Sequence, residues 1–455
     1  MANIQHLYWR AGFGLSPQQW QEKKDWPISM AIDDLFLAAG KKVPVKGATT
    51  TIPKKRLSDE QRVALRKENE KKVRKLNLDW VYRMGNPQYS DLLERMSLFW
   101  HGHFACRSRL GSLATAQLNT IREHALGNFR SLAQAIAKDV AMIRYLNNQQ
   151  NKKKQPNENF ARELMELFTI GRGNYTEQDV KEAARAFTGW SSNLAGNFVF
   201  RSFQHDYGKK TFFGKTGKYN GDDIIDMILE RRETAHFIAT KVYRYFVNPK
   251  VNASQVQQLA NVFYNSNYDI SRMMRTLFEA DWFYAPENIG VKIKSPVELM
   301  AGITRDLNVY FRDTRSLLFL ERSLGQVLFN PPNVAGWPGG RTWIDNSTLM
   351  LRLNLASYLF NNASVNLRAK DDLKASSRGK AFKRLAAEID LEPVVEMTTG
   401  QSEKAVFDTL CSLFFTQKPK LDQQFIHQQI KATTPAEYVG ELTLKLLSLP
   451  EYQTC

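Results

Sequence analysis

Cysteine is nearly missing from this 455-residue chain: Cys106, Cys411 and Cys455 stand far apart and form no CxxC or zinc-type spacing. That excludes a disulfide framework and a cysteine-built zinc site, and it suits a reducing compartment. Long apolar runs are also missing. No stretch approaches the ~18 uninterrupted apolar residues that a membrane-spanning helix needs. The opening residues, MANIQHLYWRAGFGLS, lack a basic segment followed by an apolar one. No secretory signal is therefore read, and the expected location is cytoplasmic, with export open only if the true start lies upstream. No GxSxG elbow, HExxH, Walker A loop or dinucleotide fingerprint occurs, which sets aside the chemistries those motifs build.

Acidic residues are the minority charge, 46 against 63 Lys and Arg, leaving a net +17. Such an excess concentrates anions at the surface, whether nucleic acid, acidic glycan or lipid headgroup. The positive charge is clustered at Lys41 to Lys55, Arg62 to Lys75, Lys152-Lys153-Lys154, and Lys209-Lys210 with Lys215 and Lys218. A nucleic-acid binder adds a recognisable module or aromatic stacking groups to such clusters. None is legible here, so solvated helix faces are the plainer reading. An anionic substrate or an acidic polymer remains the expected partner.

What is present is helical. Ser16 before Pro17 caps a first short helix. Ser58 with Glu60 and Gln61 opens a long helix to Tyr82, stopped by Gly85-Asn86-Pro87. Asp91 to Trp100 is amphipathic, with Leu92, Met96, Phe99 and His103 at helical spacing. Helices are predicted at 112–126 and 128–145. Asn157 caps another from Glu158 to Ile170, ended by Gly171 and Gly173. Thr176 with Asp179 starts one that reaches Trp190. Residues 196–214 break the pattern, and alternation at Phe198 and Phe200 predicts a small hairpin. Helices resume at 222–230, 233–246, 254–264, 269–281 and 295–310. After the Pro- and Gly-dense loop Asn330 to Gly340 come helices at 346–361, 374–389, 402–416, 420–431 and 435–448. The predicted fold is all-α, a multi-helix bundle with one small β-hairpin insertion. Three parts are expected: a helical lead-in and basic linker (1–57), a core carrying the hairpin (58–345), and a C-terminal helical part packed on that core (346–455).

Residues that bind metals or move protons fall in three places. Trp100-His101-Gly102-His103-Phe104 holds two histidines at i, i+2. On a helix these lie about 200° apart, so they share an ion only if Gly102 lets the chain extend. Otherwise His103 continues the buried stripe of Met96 and Phe99. On the helix after Asn157, Asn159, Glu163 and Glu166 fall within about 60° of one another. Paired carboxylates can ligate a hard cation or divide acid and base duties; the plain alternative is ion pairing, such as Glu158 with Arg162 at i, i+4. His205-Asp206, before Gly208 and Lys210, can supply a ligand with its supporting carboxylate, or simply form a turn. Cys106, near both histidines, is read mainly as buried filler rather than as a nucleophile. The Pro331–Gly340 loop with Trp337 is either a rigid crossover or a pocket wall.

These same segments resemble a bacterial family, the domain of unknown function 1800 group. The resemblance is carried by His6-Leu7-Tyr8-Trp9-Arg10-Ala11-Gly12-Phe13-Gly14, by Phe99 to Phe104, and by Asn157 to Phe168. Tyr175 through Trp190, His205-Asp206 with Lys210, and Pro331 to Gly340 complete it, so it covers nearly the whole chain. The resemblance implies little function. It does imply that the three polar clusters belong to one set of motifs. Many similar proteins carry an export signal and accompany sulfatase-like proteins, whereas this chain begins directly at the first motif.

The first expectation is a metal-dependent enzyme. His101, His103, Glu166, His205 and Asp206 would hold a divalent metal ion of unknown identity, performing metal-assisted hydrolysis of an anionic substrate. Glu158 or Glu163 would act as base, while Arg162 and Lys210 would hold the anion. Iron or copper redox chemistry on the same ligands is equally compatible with imidazole donors. The second expectation is a non-catalytic binding or scaffold protein, its polar motifs fixing helix packing and its basic surface docking an acidic polymer or partner. The two separate on whether the three clusters converge.

Overall fold

The computed structural model describes residues 2–47, 57–193, 195–361 and 385–455. Part of the expected basic linker and most of the helix predicted at 374–389 lie outside these residues. Where described, the chain is mainly helical, with three two-stranded antiparallel sheets.

Capping chemistry sets many of the helix starts. Ser16, Ser58 and Thr176 each accept from the backbone N–H three residues on, while Gln19, Gln61 and Asp179 bond back to the cap. Two orphan donors are satisfied at each site. The resulting helices are Pro17–Lys23, Asp59–Gly85 and Glu177–Ala186.

The organising element is the helix Asp91–His103, in which every residue except Gly102 is buried. A helix buried on all sides must find partners for its charges, because an unpaired buried ion is costly. Glu94 forms ion pairs with Arg83 at 3.0 Å and Arg122 at 2.7 Å and accepts from Trp80 Nε1 at 2.9 Å. Arg95 pairs with Glu298 at 2.8 Å, and Lys292 Nζ reaches both oxygens of the same carboxylate at 2.7 Å. Asp91 pairs with Arg305. These contacts tie the central helix to the long helix Asp59–Gly85, to Gly111–His124 and to Pro296–Leu307. One hydrophobic core runs continuously around it, from Ile4 to Cys455.

The expected single hairpin proves to be two. Trp190–Ser192 pairs with Phe198–Phe200, and Lys210–Phe212 pairs with Lys215–Gly217. Trp190 was expected to end a helix and instead starts a strand. Gly189 adopts φ +82°, and a Cβ there would sit 2.7 Å from Arg201 O, so the chain turns at a position only glycine tolerates well. A third sheet joins Tyr310–Phe311 to Ala387–Glu388. Two helices escaped the sequence reading, Thr314–Leu324 and Glu392–Thr398. The segment predicted as helix 128–145 breaks in two, because Asp139 caps a new helix at Val140. No helix among the described residues is long and apolar enough to cross a membrane.

Removing the Glu94 carboxylate leaves two buried guanidinium groups and an indole N–H without it. Glu94→Ala is expected to lower the unfolding free energy by about 3–5 kcal/mol, and Glu94→Gln by less because an acceptor for Trp80 remains. Urea denaturation of the three proteins checks the order; a Glu94→Ala protein as stable as wild type would remove the central ion cluster from the stabilising contacts.

Candidate functional site

The helix Asp91–His103 does not break at Gly102, so its two imidazoles point to different neighbours. His101 Nε2 accepts from the Phe329 backbone N–H at 3.2 Å, and its ring lies edge-on to Trp80 and against Trp337. Its proton therefore sits on Nδ1 and its lone pair is used. Burial holds its pKa down at about 3. His103 Nε2 donates to Phe168 O at 3.0 Å, and its Nδ1 faces Lys241 Nζ at 3.3 Å. Burial, with Lys241 beside it, keeps His103 neutral as well. The chain thus stays helical through Gly102, with the two rings on opposite sides rather than together on an extended segment.

The helix carrying the carboxylates also departs from expectation. It is α-helical only over Asn159–Glu163, then widens into a π-turn over Leu164–Thr169. Its last carbonyls go to side chains: Leu167 O accepts from Lys241 Nζ at 2.7 Å and Phe168 O from His103. Donors at a helix C-terminus complete both its hydrogen bonds and its dipole. Burial lowers the Lys241 pKa to about 8.

The remaining expected residues are partnered within this frame. Arg162 joins Glu177 at 2.7 Å and Glu158 at 3.1 Å, an arrangement that extends the predicted Glu158–Arg162 pair. Glu166 accepts from Arg172 Nε at 2.5 Å and from Tyr175 OH at 3.2 Å. Glu163 is half-buried and has no hydrogen bond or ion pair to a described residue; burial and the nearby Glu166 raise its pKa. Cys106 is buried, and burial pushes its thiol upward, away from nucleophile chemistry.

The third cluster lies at the other end of the Glu177–Ala186 helix. His205 Nδ1 donates to Thr188 O at 2.8 Å, and Asp206 accepts from Arg185 Nε at 2.7 Å and from Gly208 N at 2.8 Å. Lys210 is buried and donates to Asp206 O at 2.6 Å and Gly208 O at 3.1 Å. The segments that carry the first two clusters therefore touch, through the His103 ring and the Phe168 carbonyl. The third makes its own contacts with Thr188 and Arg185. Among the described residues, no three His, Cys, Asp or Glu side chains form a group that could hold a metal ion. A cleft of about 490 Å³ opens beside the hairpin tip, lined by Asn119, His124, Asp139 and Phe198, and none of the expected site residues lines it.

The Pro331–Gly340 loop closes over the first cluster. Gly336, at φ +83°, would place a Cβ 2.5 Å from Gly102 O, and Arg107 donates to Pro331 O at 2.9 Å. The opening motif is equally absorbed: His6 Nε2 bonds Phe283 O at 3.1 Å, and Arg10 donates to Asn288 O at 2.8 Å. Sequence reasoning missed Lys241 and Arg185, which lie outside any polar cluster. Their helix positions give no sign that they reach across to His103 and Asp206.

These features define a helical protein in which most motif side chains make contacts between helix ends, loops and hairpins. The chain belongs to the family described as "Protein of unknown function (DUF1800)", whose model matches residues 6–454. No curated protein and no solved structure matches it.

The buried neutral His101 has a pH consequence. Below its ordinary pKa of 6.5, the unfolded chain takes up a proton that the folded imidazole refuses. Its stabilising contribution is therefore complete above pH 6.5 and is lost as pH falls toward 3, the loss reaching about 3 kcal/mol by pH 4. His101→Gln, which keeps an acceptor but cannot titrate, should flatten that part of the stability profile in urea titrations at stepped pH. An unchanged profile would assign the acid sensitivity to other groups.

Proposed function

We propose that this protein is a non-catalytic binding protein, its motif residues fixing the helical packing and its basic surface docking an acidic polymer. The observation supporting this reading is the commitment of the polar motif groups. The lone pairs of His101 and His103 face Phe329 N and Lys241 Nζ, and Glu166, Asp206, Arg162 and Lys210 each have intramolecular partners. Metal-assisted hydrolysis, or iron or copper redox chemistry on these ligands, would require those lone pairs to turn together toward one ion. Among the surface cations, Lys152, Lys153, Lys154 and Lys209 are exposed and form no ion pair with a described residue. They remain available for a polyanion, where counterion release drives association.

The test is direct binding to three polyanions, heparin, a single-stranded oligonucleotide and polyglutamate, across a salt series. At least one is expected to bind more tightly than the ~10⁻⁴ M typical of weak non-specific association, with affinity falling steeply as salt rises. Failure of all three, or one equivalent of tightly held divalent metal in the purified protein, would overturn the proposal.

A further inference from the structure

The basic run Lys152–Lys154 and the segment from Phe198 to Lys209 are far apart in sequence, and neither alone resembles a binding surface. Folding joins them. Lys152 and Gln155 close a tight turn with reciprocal backbone bonds, placing Lys153 and Lys154 at its tip. Lys153 N then donates to Gln204 O at 2.8 Å, and Gly189 N donates to Asn151 O at 3.0 Å. Asn151 anchors the turn from below, its side chain donating to Ala184 O and accepting from Asn157 N.

Beside this turn stand three large aromatic side chains that the fold leaves in solvent. Phe203 is 69% exposed, Tyr207 59% and Phe200 47%. Exposed phenylalanines forgo the burial that usually stabilises them, by roughly 1.5–3 kcal/mol each. Phe200 and Tyr207 are held edge-on against the buried His205 ring, at centroid distances of 5.2 and 4.7 Å. The His-Asp motif thus acts as a pedestal for them. Because His205 Nδ1 donates to Thr188 O, its Nε2 is an acceptor with no partner among the described residues. Between Gly196 and Lys218 the only carboxylate is Asp206, and Arg185 already neutralises it. Arg201 and Lys209 add exposed positive charge.

We infer that this surface binds single-stranded nucleic acid, with bases stacking on Phe203, Phe200 and Tyr207 and phosphates lying along Lys152, Lys153 and Lys154. The inference rests on the acidic-polymer reading and names both the polymer and the place. Aromatic groups interleaved with unpaired cations are what a strand with exposed base faces and a charged backbone requires. Phenylalanine offers a stacking face but no hydrogen bond, which suits bases better than the hydroxyl-rich rings of a glycan. A duplex, with its bases already stacked on one another, satisfies the cations but not the aromatics.

Fluorescence anisotropy of a labelled oligo-dT of about 15 nucleotides, long enough for a single site, tests this on the full chain. Phe203→Ala, a change at an exposed position, is expected to weaken binding by about 5- to 100-fold while leaving the salt slope unchanged. The Lys152→Ala/Lys153→Ala/Lys154→Ala variant should reduce the log–log salt slope by about 2, three phosphate contacts at roughly 0.7 each. A duplex of the same length should bind more weakly and ignore Phe203→Ala. Tight heparin binding without oligo-dT binding would overturn the inference and leave the acidic-polymer reading standing. So would binding to phosphatidylserine vesicles that depends on Phe203 while oligo-dT fails to bind. Equal oligo-dT affinity in wild type and both variants would move the site elsewhere and overturn the inference as well. Failure of oligo-dT and heparin alike, with polyglutamate also unbound, would remove both.

Discussion

A helix enclosed on every side cannot carry a charge without dictating what surrounds it. Asp91, Glu94 and Arg95 occupy the first turns of such a helix, and His101 and His103 its last. Each fixes a neighbour: Arg305, Arg83 with Arg122, Glu298, the Phe329 amide and the Phe168 carbonyl. Desolvating these groups costs more than a lone pair of contacts returns, so each must be nearly completely satisfied. The helix packing around this element therefore follows from polar bookkeeping as much as from apolar area. Arg95 and Lys292 hold the Glu298 carboxyl down at about 2 despite complete burial, which shows how strongly opposite charge can outweigh desolvation.

The same logic gives the motif segments a common role. Each supplies a group that ends a helix, turns a loop or pins a hairpin. His103 and Lys241 finish the π-turn, Gly336 lets its loop lie on Gly102, and Asp206 with Arg185 locks the turn after the first hairpin. Polar residues gathered at helix ends and loops look like catalytic candidates in a sequence, because catalysis uses the same residue types. Here most of these groups face partners within the chain, whereas the Glu163 carboxylate and His205 Nε2 have none among the described residues.

Much of the helical framework was legible from local chemistry. The caps at Ser16, Ser58 and Thr176 fall where the sequence places them, since a cap depends on residues only three apart. The π-turn was not legible, because Leu164-Met165-Glu166-Leu167-Phe168 carries an ordinary α-helical pattern. What accompanies its widening is the capture of two carbonyls by His103 and Lys241, each more than sixty positions away in sequence. The Thr314–Leu324 helix was missed although Asp313 caps it and Gly325 ends it at φ +92°. The opposed orientation of His101 and His103 was legible as one of two options, and continuous helix through Gly102 selects it. The aromatic surface near His205 was illegible, because the exposure of Phe203 and its nearness to Lys153 both arise from tertiary contacts.

The widened turn over Leu164–Thr169 also changes which mutations the chain can absorb. A π-turn holds one more residue than the α-helical turn it replaces, so deleting a single residue there would restore regular winding. Everything after it would then rotate by about 100°, carrying the Phe168 carbonyl away from His103. Side-chain replacements in this stretch leave the backbone count intact, whereas a one-codon loss does not. These six positions are therefore constrained in number as well as in the burial of Leu164, Met165 and Phe168.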